Sequence, residues 1–121
     1  MAEQETEERQ TYRASHRFAR ISPRKARLLM DLIRGRDVDD AITLLRFSKQ
    51  RASGMIEKVV RSAVANAGEQ EANTNTLFVA RAWVDPGPVI KRFQPKDRGK
   101  AYSIKKRTSH LVVTLDERDE E

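Results

Sequence analysis

The sequence predicts an α+β fold in which helices come first and the main strands last. A period-two pattern near the start indicates one strand, and three segments between residues 22 and 68 have the apolar spacing of helices. Two segments after residue 76 are rich in valine, leucine and aromatic side chains, as strands are. At 121 residues the chain is a single domain by length.

The first strand is predicted over Tyr12–Ala19. Tyr12, Ala14, His16 and Phe18 alternate there with a second set that is mostly polar and basic. One face of this strand is therefore expected to be wet and basic.

The first helix is predicted to begin at Ser22 and Pro23 and to close at Gly35. The serine oxygen can accept a first-turn amide proton, and proline at the first helical position loses no needed donor. The predicted buried stripe consists of Leu28, Leu29, Leu32 and Ile33. The predicted basic face consists of Arg24, Arg27 and Arg34.

A second, short helix is predicted after Asp37, which is a suitable N-cap. Its apolar face is predicted to consist of Val38, Ala41, Ile42 and Leu45. Phe47 is expected to end this helix in the core.

The third helix has the strongest pattern and is predicted to start after Ser48. Gly54 costs about 1 kcal/mol relative to alanine and so indicates close approach of another backbone. Gly68 is the predicted C-cap. The apolar residues at helical spacing are Ala52, Met55, Ile56, Val59, Val60, Ala63, Val64 and Ala67.

The main strands are predicted over Leu77–Val84 and Leu111–Leu115. Two turns between them are candidates, Pro86–Pro88 and Pro95–Gly99, and the pattern alone does not choose. With the second turn, two long arms would overhang the core. Their outer halves have no alternating apolar face and would be ordered mainly by a partner.

Charge is concentrated in residues 91–107, which carry eight basic side chains and one acid, a net charge of +7 in a chain of +6. Both ends are acidic: residues 1–10 hold four acids and one arginine (−3), and residues 116–121 hold five acids and one arginine (−4). We therefore expect mobile acidic segments at 1–11 and 116–121 around a domain at 12–115.

The basic segment predicts a polyanionic partner, with nucleic acid as the leading candidate. Phe93 and Tyr102 lie among its cations and offer stacking surfaces for bases, which favours RNA. A solubilising surface run is the alternative interpretation, but such runs normally mix both signs of charge.

The residue inventory argues against an enzyme, a metal site and a cofactor. The chain has no cysteine, its two histidines, His16 and His110, lie far apart, and its five glycines form no phosphate loop. Helix capping explains the acids at 37, 39 and 40, and neighbours on a strand such as Ser109 and His110 point to opposite faces. No leader or membrane span is evident, so we expect a cytoplasmic protein without a membrane partner or small-molecule substrate.

Four segments resemble the bacterial large-subunit ribosomal protein 22 family. They are ISPRKARLLMDLIRGR from Ile21, SAVANA from Ser62, VDPGPVIKRFQPKDRGKA from Val84 and KRTSHLVVTL from Lys106, and the similarity covers roughly residues 12–115. The resemblance implies three helices packed on a small antiparallel sheet, with a long protruding hairpin over about residues 84–110. It also implies a hairpin tip at Pro95–Gly99 and a bend or bulge at Pro86–Pro88.

The resemblance further implies a structural constituent of the large ribosomal subunit that binds 23S rRNA and supports subunit assembly. Its hairpin would line the polypeptide exit tunnel, and its partners would be 23S rRNA, neighbouring large-subunit proteins and the nascent polypeptide. The implied RNA-binding positions are Arg20, Ser22, Pro23, Arg24, Lys25 and Arg27 at the first helix, Lys91, Arg92, Phe93, Lys96, Arg98, Gly99 and Lys100 in the hairpin, and Lys105, Lys106, Arg107, Thr108, Ser109 and His110 on the return strand.

The chain departs from the family pattern at both ends and in the hairpin. Asp97 places an acid in the tip, and Ser103 stands where the family often has a basic residue. Our hypothesis is that the acidic ends stay in solvent and reduce non-specific RNA binding; unchanged off-target affinity after deleting both would contradict it. A stand-alone RNA-binding or nucleoid protein is the alternative function, and a peripheral membrane protein has less support because amphipathic basic helices with bulky aromatic residues are missing.

Overall fold

A computed structural model of the chain describes residues 11–96 and 100–118, with residues 90–96 and 100–105 described by their backbone alone. It confirms the α+β class. The elements are β1 (Tyr12–Ala19), α1 (Pro23–Ile33), α2 (Val38–Phe47), α3 (Arg51–Glu69), a 3₁₀ turn (Thr74–Thr76), β2 (Leu77–Pro86), β3 (Ile90–Lys96), β4 (Lys100–Lys106) and β5 (Ser109–Glu117).

The described strands form two antiparallel sheets. The main sheet has the order β1-β5-β2, and β3 and β4 form a separate two-stranded hairpin. β3 and β4 are antiparallel, and Lys96 pairs with Lys100. Of the two predicted turns, the hairpin turn is therefore Pro95–Gly99 and not Pro86–Pro88. Residues 97–99 of that turn lie outside the described residues.

The core lies between the main sheet and the three helices. α3 packs on β1 and β5, while α1 packs on β2 and α3. The central strand β5 is buried from Ser109 through Asp116 apart from the half-buried His110, because it has a neighbour on either edge. On one face of the sheet the guanidinium of Arg13 lies 5.3 Å from the Trp83 ring, a cation–π contact between the two flanking strands.

The α3 pattern is confirmed, but both glycine predictions for it are wrong. Within the described part of the chain, nothing outside the helix lies within 4 Å of a Cβ placed on Gly54, so no other backbone approaches there. Gly68 lies inside the last helical turn. Glu71, with φ of 61°, adopts the left-handed conformation after the helix instead, and the Ala72 amide donates to the Ala67 carbonyl at 3.0 Å.

The buried stripe predicted for α1 is half wrong. Leu29 and Ile33 are buried, but Leu28 and Leu32 are 59% and 50% exposed, and the stripe is completed by Pro23, Ala26 and Met30. Helical spacing allows both stripes, and the direction in which α1 meets β2 and α3 selects the second. Gly35, with φ of 85°, follows the helix as predicted.

The α2 prediction is right in position and wrong at its end. Val38, Ala41 and Leu45 are buried, but Phe47 is 83% exposed because the helix ends there and the chain turns away at Ser48. The N-cap positions of α1 and α2 are Ser22 and Asp37 as predicted, yet neither side chain makes a capping hydrogen bond.

The two outer ends of the sheet differ from simple strands. In β1 the alternation of burial stops after Ala14, since the register with β5 shifts between His16 and Ala19 and Phe18 has φ of 60°. At the other end β5 continues to Glu117, and Arg118 donates to the Asp37 carboxylate at 2.6 Å. Residues 116–118 are thus part of the fold.

Candidate nucleic-acid interface

A basic cleft opens where the start of α1, the start of α3 and the end of β4 meet. Its volume is about 490 Å³, and Ile21 and Ser22 form part of its wall. We call it the root cleft, because it lies at the root of the hairpin. Its five cationic side chains are Arg20, Lys25, Arg51, Lys106 and Arg107.

Hydrogen bonds within the fold bring these distant segments together. The Ser109 hydroxyl, fully buried, donates to the Ile21 carbonyl at 2.6 Å and so fixes the β1–α1 connection to the start of β5. Lys106 and Arg107, which precede Ser109, are thereby held beside Arg20. Arg51 joins them as the first residue of α3.

The cleft cations are not neutralised by acids of the described residues. All five are exposed, the wall contains no Asp or Glu, and none of the five takes part in a hydrogen bond or ion pair within that part of the chain. Some acids elsewhere are paired with cations: Glu57 with Arg46 at 2.8 Å, and Asp31 with Arg34 at 2.9 Å. The root cleft therefore carries a local charge of +5 from its five cations.

A second cleft of about 380 Å³ adjoins the first and shares Arg107 with it. Its wall is mixed, with the half-exposed Val89 beside cations of α1. The residues that line it are Pro23, Arg24, Arg27, Pro86, Gly87, Val89, Arg107 and Thr108. This cleft follows the bend between β2 and β3.

The bend is held by a reciprocal contact across the hairpin root. The Gly87 amide donates to the Thr108 carbonyl at 2.9 Å, and the Thr108 hydroxyl donates to the Pro88 carbonyl at 2.6 Å. Residues 87–89 are in neither sheet, so the chain passes here from the main sheet to the hairpin. This agrees with the bend that the family resemblance implied at Pro86–Pro88.

The implied RNA-binding positions on the body fall into two groups. Arg20, Arg24, Lys25, Lys106 and Arg107 are exposed around the two clefts. Arg27 is exposed as well, but its Nη2 donates to the Val84 carbonyl at 3.1 Å. Ser22 is half-buried and Pro23 is buried at the helix start.

The polar side chains at the start of the return strand form hydrogen bonds with backbone groups of the protein itself. The Thr108 and Ser109 hydroxyls are buried and donate to backbone carbonyls, and the RNA contacts implied for these two positions stay a prediction. The His110 Nδ1 accepts the Phe18 amide proton at 3.0 Å, and its ring meets the Phe18 ring edge-on at 4.9 Å. His110 therefore supports the irregular end of β1.

The hairpin positions are described by backbone register alone. Lys91 pairs with Lys105 and Lys96 pairs with Lys100, so like charges occupy directly opposed positions at two places. Opposed like charges destabilise a strand pair. The side chains of Lys91, Arg92, Phe93, Lys96, Lys100 and Lys105 are not among those described, and Arg98 and Gly99 lie outside the described residues altogether.

Sequence reasoning missed Arg51. It lies in the RFSKQR segment from Arg46, where the Arg46, Lys49 and Arg51 cations stand at the junction of two helices. This local concentration of positive charge was the sequence signal that could have identified Arg51 as a candidate RNA contact. Its proximity to Lys25 and Lys106 depends on long-range packing, which the local pattern does not contain.

The described residues offer neither a metal centre nor a membrane-spanning helix. No group of three or more potential metal ligands among His, Asp and Glu occurs there. No helix in the same part of the chain is long and apolar enough to cross a membrane.

Comparison with known proteins gives a consistent match along most of the chain. The family model described as Ribosomal protein L22p/L17e matches residues 14–116. Proteins named Large ribosomal subunit protein uL22 are similar: that of Geobacter metallireducens is 50% identical over 104 residues, covering 85% of this chain and 94% of the relative. Those of Thermoanaerobacter pseudethanolicus and Bdellovibrio bacteriovorus are 48% and 44% identical over 108 and 107 residues, each covering 88% of this chain and 97% of the relative.

Proposed function

The chain belongs to the ribosomal protein L22p/L17e family, and from this we propose that it is a structural constituent of the large ribosomal subunit that binds 23S rRNA. One observation carries the proposal. The family match over residues 14–116 spans nearly all of the described fold, and the chain is 44–50% identical to proteins named as large-subunit components.

The body and the root of the hairpin together contribute a phosphate-binding surface in this proposal. The exposed cations Arg20, Arg24, Lys25, Lys106 and Arg107 line two adjoining clefts, where they can contact RNA backbone. Contacts of lysine and arginine with phosphates position a protein on RNA without reading its sequence. Specificity would come from the shape of the folded RNA.

The hairpin contributes the second RNA-binding element. It is a sheet of its own with a net charge of +7 over residues 91–107, and its register opposes lysines at two positions. RNA phosphates bound beside these two strands would offset the repulsion between the opposed lysines. By its family pattern this hairpin would line the polypeptide exit tunnel and face the nascent chain, while neighbouring large-subunit proteins contact the body.

We propose no catalytic role for the adjacent Ser109 and His110. The Ser109 hydroxyl donates to the Ile21 carbonyl, and the His110 Nδ1 is occupied by the Phe18 amide. A nucleophile needs its base within hydrogen-bond reach, and these two side chains are each engaged with a different backbone group.

The experiment that tests the proposal is binding of 23S rRNA across a salt series. The intact protein is compared with a variant in which Lys91, Arg92, Lys96, Arg98 and Lys100 are changed to alanine. A large loss of affinity and a shallower dependence on salt are expected, since each lost phosphate contact lowers the slope by about 0.7–0.9. A variant lacking the exposed Lys58, Arg61 and Arg81 removes three positive charges outside the hairpin and the clefts, and it should keep more of the affinity and slope per charge lost.

Unchanged affinity and slope in the five-alanine variant would contradict a role of the hairpin in RNA binding. The alternative, a stand-alone RNA-binding or nucleoid protein, is separated by a second assay. A ribosomal protein remains with large subunits during sedimentation in high salt. A stand-alone protein is released into the supernatant.

A further inference from the structure

We infer that the root cleft is a binding site for RNA backbone phosphate in its own right, and that Arg51 is one of the residues that hold the phosphate. The inference rests on the proposed function and deepens it, because it places a distinct site on the body of the protein, away from the hairpin tip. It also assigns a role to a residue that the family resemblance did not include among the RNA contacts.

The charge of the cleft is the first argument. Five cations surround about 490 Å³ of open space, and no Asp or Glu stands in the wall. Like charges at this spacing repel one another, and a bound anion converts that repulsion into attraction. Some arginines elsewhere in the described residues do have acidic partners, as Arg46 has Glu57 and Arg118 has Asp37.

The chemistry of the wall selects phosphate over a base. Arg20, Arg51 and Arg107 supply guanidinium groups, which bind phosphate oxygens through two parallel hydrogen bonds. Apart from Ile21 and Ser22 the wall consists of cations, and it contains no aromatic ring on which a base could stack. The site is therefore suited to the RNA backbone and blind to its sequence.

The two helices that begin at the cleft add a smaller contribution. α1 follows Ser22 and α3 begins at Arg51, and neither N-cap side chain makes a capping hydrogen bond. Their first-turn amides are left without that side-chain partner, and the N-terminal end of a helix favours negative charge.

The position of the cleft gives the phosphate a structural effect. Lys106 and Arg107 belong to the hairpin root, whereas Arg20, Lys25 and Arg51 belong to the body. A phosphate bound between these two groups joins them. RNA bound here holds the root of the hairpin against the body, whatever the hairpin tip contacts.

Arg51→Gln tests the inference, with Lys58→Gln as the matched control. Both residues are exposed, both lie on α3, and both changes remove one positive charge. We expect R51Q to lose several-fold in affinity for 23S rRNA and to lower the salt slope by about 0.7–0.9, whereas K58Q keeps both. Equal affinity and slope for R51Q and K58Q would overturn the inference.

Two further measurements separate a lost phosphate contact from unfolding and from an effect on the hairpin. Thermal unfolding without RNA should be the same for wild type and R51Q, because Arg51 has no partner within the described residues whose loss would unfold the protein. The R51Q loss should also persist in the five-alanine hairpin variant. If R51Q causes no further loss of affinity in the five-alanine variant, Arg51 acts only through the hairpin and the inference of a separate site is wrong.

The source of the phosphate is distinguished with inorganic pyrophosphate. If pyrophosphate stabilises the wild type but not R51Q at matched ionic strength, while R51Q binds RNA normally, the cleft is a site for free anions and the assignment to RNA is wrong. Failure of the proposed function gives a different result, since wild-type protein would then neither bind 23S rRNA nor sediment with large subunits.

Discussion

At the scale of single residues, buried hydroxyl groups hold the connecting segments against the start of β5. The described residues contain no buried side-chain nitrogen or oxygen without a hydrogen-bond partner. Thr108 and Ser109, for which the family resemblance implies contact with RNA, are both buried, and their hydroxyls donate to backbone carbonyls. Burial at this point follows from the pairing of distant strands, which the neighbouring residues do not report.

Tyr12 gives a prediction at high pH. Burial, and then the hydrogen bond that its hydroxyl donates to the Glu117 carboxylate at 2.9 Å, raise the pKa of Tyr12 above its ordinary value of about 10. The fold therefore favours the neutral phenol. This contribution to stability is complete below pH 10 and is lost as the pH rises through the folded-state pKa of Tyr12.

Ultraviolet absorbance during alkaline titration would follow the two tyrosines of the chain, Tyr12 and Tyr102. We expect one phenolate to form at a higher pH than the other, together with a fall in the urea midpoint. In Tyr12→Phe the late step should vanish and the urea midpoint should fall less steeply above pH 10. Two coincident titrations near pH 10 with no loss of stability would contradict a raised pKa for Tyr12.

At the scale of elements, α1 and the residues that follow it protect the outer edge of β2. β2 is an edge strand of the main sheet, and exposed strand edges invite pairing with other chains. Arg34 donates to the Ala82 carbonyl at 2.5 Å and Arg27 to the Val84 carbonyl at 3.1 Å. The Gly35 amide donates to the Val79 carbonyl at 2.8 Å, so the edge is covered along much of its length.

Arg34→Ala should therefore lower the free energy of unfolding by about 1–2 kcal/mol, because the Ala82 carbonyl loses a charged donor. Asp31→Asn is the matched control, since it removes the exposed ion pair with Arg34 and leaves the carbonyl contact. It should cost less than about 0.5 kcal/mol. Urea unfolding measures both, and equal losses would show that the ion pair, and not the edge contact, matters.

The sequence is informative about elements and less so about their orientation. Helices, main strands and the first strand follow from local periodicity, and β1 has the predicted bounds. The choice between Leu28 and Met30 as a buried residue of α1 depends on which face meets β2, and Phe47 is exposed because α2 ends at that residue. The Arg51 contribution to the root cleft was missed for the same reason, as three separate segments form that site.

At the scale of the whole molecule, two short connections, residues 87–89 and 107–108, join the two sheets. Gly87 lies so close to Thr108 that a Cβ at Gly87 would overlap the Thr108 hydroxyl, and the Thr108 carbonyl lies 3.3 Å from the same point. Glycine at position 87 is therefore required because the backbone of Thr108 lies so close, and not because of its own φ angle. The direction in which the hairpin leaves the body depends on this contact.

Gly87→Ala should lower the free energy of unfolding by about 1–3 kcal/mol through overpacking. Adding Thr108→Ala removes the overlapping hydroxyl, so the double variant should lose less than the sum of the two single changes. A double-mutant cycle by urea unfolding measures the coupling. Strict additivity would mean that the Gly87–Thr108 contact does not constrain the bend.

The pairing of β1 with β5 has a consequence for how the molecule meets its partner. Tyr12 pairs with Leu115, so both acidic segments are attached at one end of the sheet, and the hairpin enters β5 at the other, about 20 Å away. Net charges of −3 and −4 in the two segments and +7 in residues 91–107 are thus attached at opposite ends of β5, an arrangement that favours an electric dipole. The field of a polyanion exerts a torque on such a dipole and turns the hairpin toward the polyanion before contact. Ionic strength therefore acts on the rate of encounter as well as on the final affinity.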